Sequence, residues 1–276
     1  MTIQTALLQG TQLLEDGRIA APRLTAEVLL TCALGRERAY LYAHPEEELR
    51  EVAWIHYGRY LHERLQGKPT QYITGRQEFY GREFRVTRDV LIPRPETEHL
   101  VEAALARIQP GDVVLDVGAG SGAIAVTLAL ETAARILATD ISPPALCVAR
   151  SNAQRLSAPV SFLACDLASA IADQTINVLV SNPPYVPETD QPVIQREVRD
   201  WEPHVALFAG PNGLEIYERL IAEARRVLRP GGWLLLELGY NSVEPVRAML
   251  QSRWSEITVA QDLAGFPRVL AARLLP

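Results

Sequence analysis

The segment that most restricts the fold is Val113-Val114-Leu115-Asp116-Val117, a nearly unbroken apolar run that passes straight into Gly118-Ala119-Gly120-Ser121-Gly122. Apolar residues at successive strand positions need cover on both faces, the situation of a parallel strand inside an α/β sheet. The stretch behind the glycines, Ala123 to Leu130, reads as a helix packed on that strand. The alternation continues with a strand over Arg135 to Asp140 and a crossover helix over Pro144 to Leu156. Further strands are predicted at Val160 to Cys165, Asn177 to Ser181 and Trp233 to Leu238. Ile257 to Gln261 and Val269 to Leu274, parted by Gly265-Phe266-Pro267, read as a terminal antiparallel hairpin. Seven strands with intervening helices predict an α/β, doubly wound domain.

The first 75 residues have a different period. Leu24, Val28, Leu29 and Cys32 fall on one helical face between Pro22 and Gly35. A second helix is expected after Pro45, with Glu46, Glu47 and Glu48 at the positive end of its dipole. Its apolar face would be Ala53, Tyr57, Leu61 and Leu65. From Gln77 to Val86, Phe79, Phe84 and Val86 alternate with polar residues around Gly81, the pattern of a β-hairpin. The stiff segment Ile92-Pro93-Arg94-Pro95-Glu96-Thr97-Glu98 then enters a helix through Leu100, Val101, Ala104 and Leu105. The expected organisation is a small helical bundle over 1–75, a hairpin and proline linker over 76–95, and a catalytic domain over 96–276.

Composition narrows the function classes. At 48% hydrophobic and 22% charged residues, the chain can fill a core and is not of the disordered type. Three scattered cysteines, Cys32, Cys147 and Cys165, fit neither a disulfide scaffold nor a zinc ribbon. The five histidines have no metal-ligand spacing, so no metal is expected. No apolar run approaches the roughly 18 residues of a membrane span, and Met1 to Leu14 does not resemble a signal peptide. A cytoplasmic protein without a membrane contact is expected. A net charge of −6 argues against direct binding of a nucleic-acid backbone. Arg76, Arg82, Arg85, Arg88 and Arg94 crowd the linker and read as solvent-facing, with docking as a second reading.

Three constellations point to chemistry. Gly118, Ala119, Gly120, Ser121 and Gly122 lie where a strand turns into a helix, a place where backbone can approach a ligand. Their spacing is Gly-x-Gly-x-Gly, unlike a dinucleotide fingerprint, and Asp116 ahead of them suits an ammonium group better than a pyrophosphate. Asp140 ends the next strand, where a carboxylate accepts from a ribose diol, with a cap on the following helix as the second reading. Asp166 and Leu167 end the third strand and suit an adenine amino group and ring face. The most specific signal is Asn182-Pro183-Pro184-Tyr185 directly after Val178-Leu179-Val180. Two prolines at a strand exit remove backbone donors and stiffen the chain. The Asn182 side-chain carbonyl and the Pro183 backbone carbonyl can each accept one N–H of a planar NH2. Pro184 would stiffen that pair, and the Tyr185 ring would stack on the planar group. Such a clamp fits methylation of a delocalised nitrogen, a step that asks for positioning and no catalytic base.

The glycine loop, Asp140 and Asn182 to Tyr185 together resemble the seven-strand S-adenosylmethionine-dependent methyltransferases acting on planar amino groups. Gly67-Lys68-Pro69-Thr70-Gln71-Tyr72-Ile73, Glu78-Phe79-Tyr80-Gly81 and Leu91 to Glu98 resemble, more narrowly, the peptide chain release factor glutamine N5-methyltransferases. Glu197-Val198-Arg199, Glu202-Pro203 and Ala206-Leu207 extend the likeness over essentially the whole chain. The resemblance implies S-adenosyl-L-methionine held by Gly118 to Gly122, Asp140, Asp166, Leu167 and Asn182. It also implies a class I peptide chain release factor as partner, its Gly-Gly-Gln glutamine clamped by Asn182 to Tyr185, with the N-terminal domain docking the protein. The alternatives are a glutamine methyltransferase of a ribosomal protein and an amino methyltransferase of nucleic-acid bases. A cofactor-binding module without catalysis is a third, disfavoured by the intact Asn182 and Tyr185. From Pro187 to Pro203 five acids face two bases, an expected acidic rim unfavourable to phosphates.

Overall fold

The computed structural model describes residues 1–276, apart from the side chain of Gln251. The chain divides into two compact units, one of residues 1–76 with 195–201, the other of residues 77–194 with 202–276. The first unit is helical: α1 (Ile3–Asp16), α2 (Pro22–Leu34), α3 (Arg38–Ala43), α4 (Glu51–Leu65) and α5 (Thr70–Thr74). Leu7, Leu14, Leu29, Leu30, Tyr57 and Leu61 fill its core. In α2 the buried face is Thr25, Ala26, Leu29 and Leu30, whereas Leu24 is exposed and Val28 and Cys32 are only half-buried. The expected α2 face is therefore rotated, because α1 and α4 both pack on this helix. In α4, Ala53, Tyr57 and Leu61 are buried as the spacing predicts. The helix starts at Glu51, not directly after Pro45, because backbone at Pro45 and Glu47 accepts from Gln4 and Ile3 instead.

The hairpin of β1 (Arg76–Phe79) and β2 (Arg82–Arg85) turns at Tyr80 and Gly81, both left-handed at φ 50° and 68°. Two successive residues of positive φ match the right-handed twist of a short hairpin. A 3-10 turn at Pro95–Thr97 leads into α6 (Glu98–Leu105). Then come β3 (Val113–Val117), α7 (Ala123–Glu131), β4 (Arg135–Asp140), α8 (Pro143–Arg155), β5 (Val160–Ala164) and β6 (Ile176–Ser181). After α9 (Arg196–Trp201) the chain runs through α10 (Glu215–Val227), β7 (Leu228–Glu237), α11 (Val243–Met249), β8 (Trp254–Gln261) and β9 (Pro267–Leu274).

These seven strands form one sheet in the order β5-β4-β3-β6-β7-β9-β8. The first five are parallel, while β9 runs antiparallel to β7 and β8 to β9. The apolar runs are explained by cover on both faces. Val114, Val178 and Val180 enter one core with α6 and α7, while Leu115, Val117 and Leu179 enter the other with α10. Strand order reverses between β3 and β6, which pair directly as Val114–Val178, Leu115–Leu179 and Asp116–Val180. The carboxyl ends of those two strands flank the switch point, where doubly wound sheets bind ligands.

Candidate active site

At that switch point lies a cavity of about 280 Å³. Gly118, Gly120, Asp140, Asp166, Leu167, Asn182, Pro183 and Pro184 line it, eight of the twelve residues singled out in the sequence. The loop after β3 and the segment after β6 approach closely: a side chain at Gly118 would stand 3.9 Å from the Asn182 carbonyl oxygen. Gly118 and Gly120 both have positive φ, and a Cβ built on Gly120 meets nothing within 4 Å. The glycines thus leave bare backbone facing open space.

Ala119, Ser121, Gly122 and Tyr185 are not in the lining. Gly122 instead lets α7 lie against α8, where a Cβ would stand 3.2 Å from that of Ala149. The Ser121 carbonyl accepts from Asn152 Nδ2. The Tyr185 ring lies flush on Gly239, whose added Cβ would come within 2.9 Å of it. Burial, with the Glu237 carboxyl nearby, pushes the Tyr185 phenol up to about 12.

Asp140 already organises the site. Its Oδ2 accepts from the Gly120 N–H and its Oδ1 from the Ser142 N–H, each at 2.8 Å. A carboxylate offers about four lone-pair directions, so two remain for the cavity. Asp166 is ion-paired with Arg219 of α10 at 2.5 Å, a partner no local pattern announces. Leu167 sits at φ 49°, and its carbonyl accepts from the Thr139 hydroxyl at 2.8 Å. A non-glycine residue held in that region stores strain, here directly at the cavity wall.

Asp116 does not face the cavity as the sequence suggested. It is fully buried, and Oδ2 accepts from the Ala125 N–H at 3.1 Å in the first turns of α7, while Oδ1 has no partner. Burial raises its carboxyl to about 7. The unfolded value is about 4, so between these pH values the folded state keeps a proton that the unfolded chain gives up. Stability therefore falls as pH rises through that window. Glu237, also raised by burial to about 7, adds in the same direction. In Asp116→Asn the decline of the melting midpoint from pH 5 to pH 8 is expected to be shallower. An unchanged slope would contradict a protonated Asp116.

The acids between Pro187 and Pro203 are less free than their number implied. Glu197 pairs with buried Arg64 inside the first unit, and Asp200 pairs with Arg196 and Arg199. Glu202 is buried and held by Arg94 Nη2 at 2.6 Å. Arg94 is correspondingly not a solvent-facing linker residue.

Asn182 Nδ2 donates to Thr97 Oγ1 at 3.1 Å, which leaves its carbonyl for another partner. Thr97 and Arg219 were not foreseen as site residues.

Comparison with known proteins bears on the same regions. The family model described as PrmC N-terminal domain matches residues 5–75, and that described as Methyltransferase small domain matches residues 96–200. A release factor glutamine methyltransferase of Koribacter versatilis is 47% identical over 278 residues, covering 99% of both chains. One from Nitratidesulfovibrio vulgaris is 40% identical, covering 99% of this chain and 95% of its own. Among solved structures, a 16S rRNA N2 methyltransferase of T. thermophilus in complex with AdoMet and guanosine superposes with a TM-score of 0.52 at 20% identity. It covers 72% of this chain and 49% of its own, a likeness of fold.

Proposed function

The chain belongs to the release factor glutamine methyltransferases, and on that basis we propose that it methylates the side-chain amide nitrogen of the Gly-Gly-Gln glutamine in class I peptide chain release factors. The observation that supports this most is the shared cavity: the glycine loop and Asn182 line it together from neighbouring strand ends.

S-adenosyl-L-methionine is the cofactor, and it supplies a methyl carbon made electrophilic by its sulfonium. The residues present fit it. Gly118 and Gly120 expose backbone beside open space, Asp140 retains acceptor capacity that would suit a ribose diol, and Asp166 and Leu167 line the same cavity, where they would hold the adenine. Ala119, Ser121 and Gly122 shape the loop that presents these groups.

The acceptor needs orientation above all. A glutamine amide nitrogen shares its lone pair with the carbonyl, as the amide rotation barrier of about 18–20 kcal/mol shows. Asn182 Oδ1 and the Pro183 carbonyl would each take one N–H, Pro184 would keep the two oxygens in register, and Tyr185 would form the wall behind them. Held in this way the amide nitrogen would face the place where the methyl carbon would be supplied, and its surplus N–H proton would be free to pass to water. Positioning of this kind is worth about 7–11 kcal/mol of barrier.

Residues 1–75 are assigned to docking the release factor, 76–95 to the linker and 96–276 to catalysis. No nucleic acid or membrane is assigned as a partner. The net charge of −6 supports the former, and no helix among the described residues is long and apolar enough to cross a membrane. We place the reaction in the cytoplasm, where release factors act.

The test is to present the enzyme with methyl-labelled cofactor and, in separate reactions, release factor, ribosomal proteins and nucleic acid. Label is expected in the release factor alone. Label in a ribosomal protein or in RNA would overturn the assignment in favour of that acceptor.

A further inference from the structure

The strands β6 and β7 are parallel, with Ser181 paired to Leu236, so their carboxyl ends lie at the same end of the sheet. The chain leaving β7 therefore stands beside the acceptor clamp. The Tyr185 ring lies on Gly239, and Tyr240 comes next. β9 runs antiparallel to β7, and the Leu238 N–H donates to the Arg268 carbonyl at 2.8 Å. The turn between β8 and β9, residues 262–266, thus sits at that end too.

Three large apolar side chains face solvent there: Leu263 is fully exposed, Tyr240 is 74% exposed and Phe266 44%. Apolar residues scattered singly over a surface need no explanation, but a group of them beside a site marks an interaction surface. The Tyr240 and Phe266 ring centroids are 5.9 Å apart, and the Arg268 guanidinium lies 6.0 Å from the Phe266 ring. The turn that carries Leu263 and Phe266 is held in one shape. Asp262 Oδ1 accepts from the Ala264 and Phe266 N–H groups, each at 2.9 Å, and Oδ2 from Arg268 Nε at 2.7 Å. The Asp262 N–H donates to the Phe266 carbonyl at 2.8 Å, and Gly265 supplies a positive φ of 84°. A carboxylate and backbone thus fix the turn while Leu263 contributes nothing to a core. An apolar surface ordered in advance has little conformational entropy left to lose when a partner covers it.

We propose that Tyr240, Leu263 and Phe266 form a docking surface for the release factor, taking an apolar stretch of that protein next to its Gly-Gly-Gln loop. The inference rests on the clamp and the substrate proposed above, and adds a second surface to the docking assigned to residues 1–75. Continuity argues for this occupant. A glutamine carried on a folded protein reaches Asn182 only when the surface around that glutamine meets the surroundings of the clamp, and the patch adjoins the clamp through Tyr185 and Gly239. Charge argues the same way. Asp262 and Arg268 neutralise each other within the patch, which leaves apolar contact suited to a polypeptide and poorly suited to a phosphate backbone.

Leu263→Ser, Tyr240→Ser and the double variant test this in the full-length enzyme with saturating S-adenosyl-L-methionine. Both side chains are exposed, so the melting midpoint should stay that of wild type. KM for the release factor is expected to rise about tenfold in each single variant, the loss of one buried apolar side chain, with kcat and cofactor Kd within about twofold. The rise should persist at high salt, because apolar contact is not screened. Hydroxyl-radical footprinting needs no turnover: Tyr240, Leu263 and Phe266 should lose reactivity when release factor binds the enzyme loaded with S-adenosylhomocysteine. A wild-type KM in the double variant, or undiminished reactivity of these side chains, would overturn the surface and leave the substrate assignment standing. A dimer of the enzyme alone, seen by sedimentation and dissociated by Leu263→Ser, would give the surface to a second copy of the chain and overturn the release factor as its occupant. Failure of wild type to label a release factor at all would overturn the substrate assignment, and this surface with it.

Discussion

Asn182→Ala is expected to lower methyl transfer to the release factor by two to three orders of magnitude while leaving cofactor affinity within about threefold. The substitution removes one of two carbonyls that hold the acceptor nitrogen, and loss of a preorganised polar contact at a reacting centre costs about 3–4 kcal/mol. It also removes the side chain that donates to Thr97, so the clamp loses its register with the linker segment. Thermal stability should change little, because Asn182 is half-buried and Ser181 independently anchors the strand end through its hydroxyl to the Val117 carbonyl at 2.7 Å. Single-turnover transfer with bound cofactor isolates the step. Turnover within threefold of wild type would remove Asn182 from the account.

Asp140→Ala should act on the cofactor. The carboxylate takes the Gly120 and Ser142 N–H groups, so its loss leaves two backbone donors unmatched and frees the glycine loop, besides removing the acceptor for a ribose diol. Hydrogen bonds to a charged group are worth about 1.5–3 kcal/mol each. Titration calorimetry is expected to show cofactor Kd weakened about a hundredfold or more, close to 3 kcal/mol. Saturating cofactor should then recover much of kcat, because the Asn182 clamp is untouched. A Kd within threefold of wild type would return Asp140 to a merely structural role at the entry to α8.

The contrast between these two sites shows what a sequence can announce. The strands were legible because Val113 to Val117 and Ile176 to Ser181 are covered on both faces, which leaves no room for polar alternation. The clamp was legible because Asn182 to Tyr185 is contiguous and immediately follows such a strand. Asp116 was misread because a strand residue's face depends on register with its neighbours. The chain sends that carboxylate to the Ala125 N–H of α7. Likewise, α2 carries apolar residues around most of its surface, and packing by two other helices selected Thr25, Ala26, Leu29 and Leu30. Partners separated by long stretches of chain leave no periodic trace at all. Thr97 with Asn182, Arg94 with Glu202, and Asp166 with Arg219 are of this kind. In the first two pairs both residues lie in segments the sequence singled out, and in the third only Asp166 does, but nothing in the sequence says which partners meet and only the fold pairs them.

The central claim is a geometric one, that two oxygens at the tip of β6 hold a flat amide for in-line attack. The most direct measurement is a structure of the enzyme with a release factor and S-adenosylhomocysteine. The account predicts the glutamine side-chain nitrogen within about 3 Å of both Asn182 Oδ1 and the Pro183 carbonyl oxygen, facing the sulfur across the cavity. A glutamine nitrogen bound elsewhere, or held there with Asn182 presenting its NH2 instead of its oxygen, would contradict it.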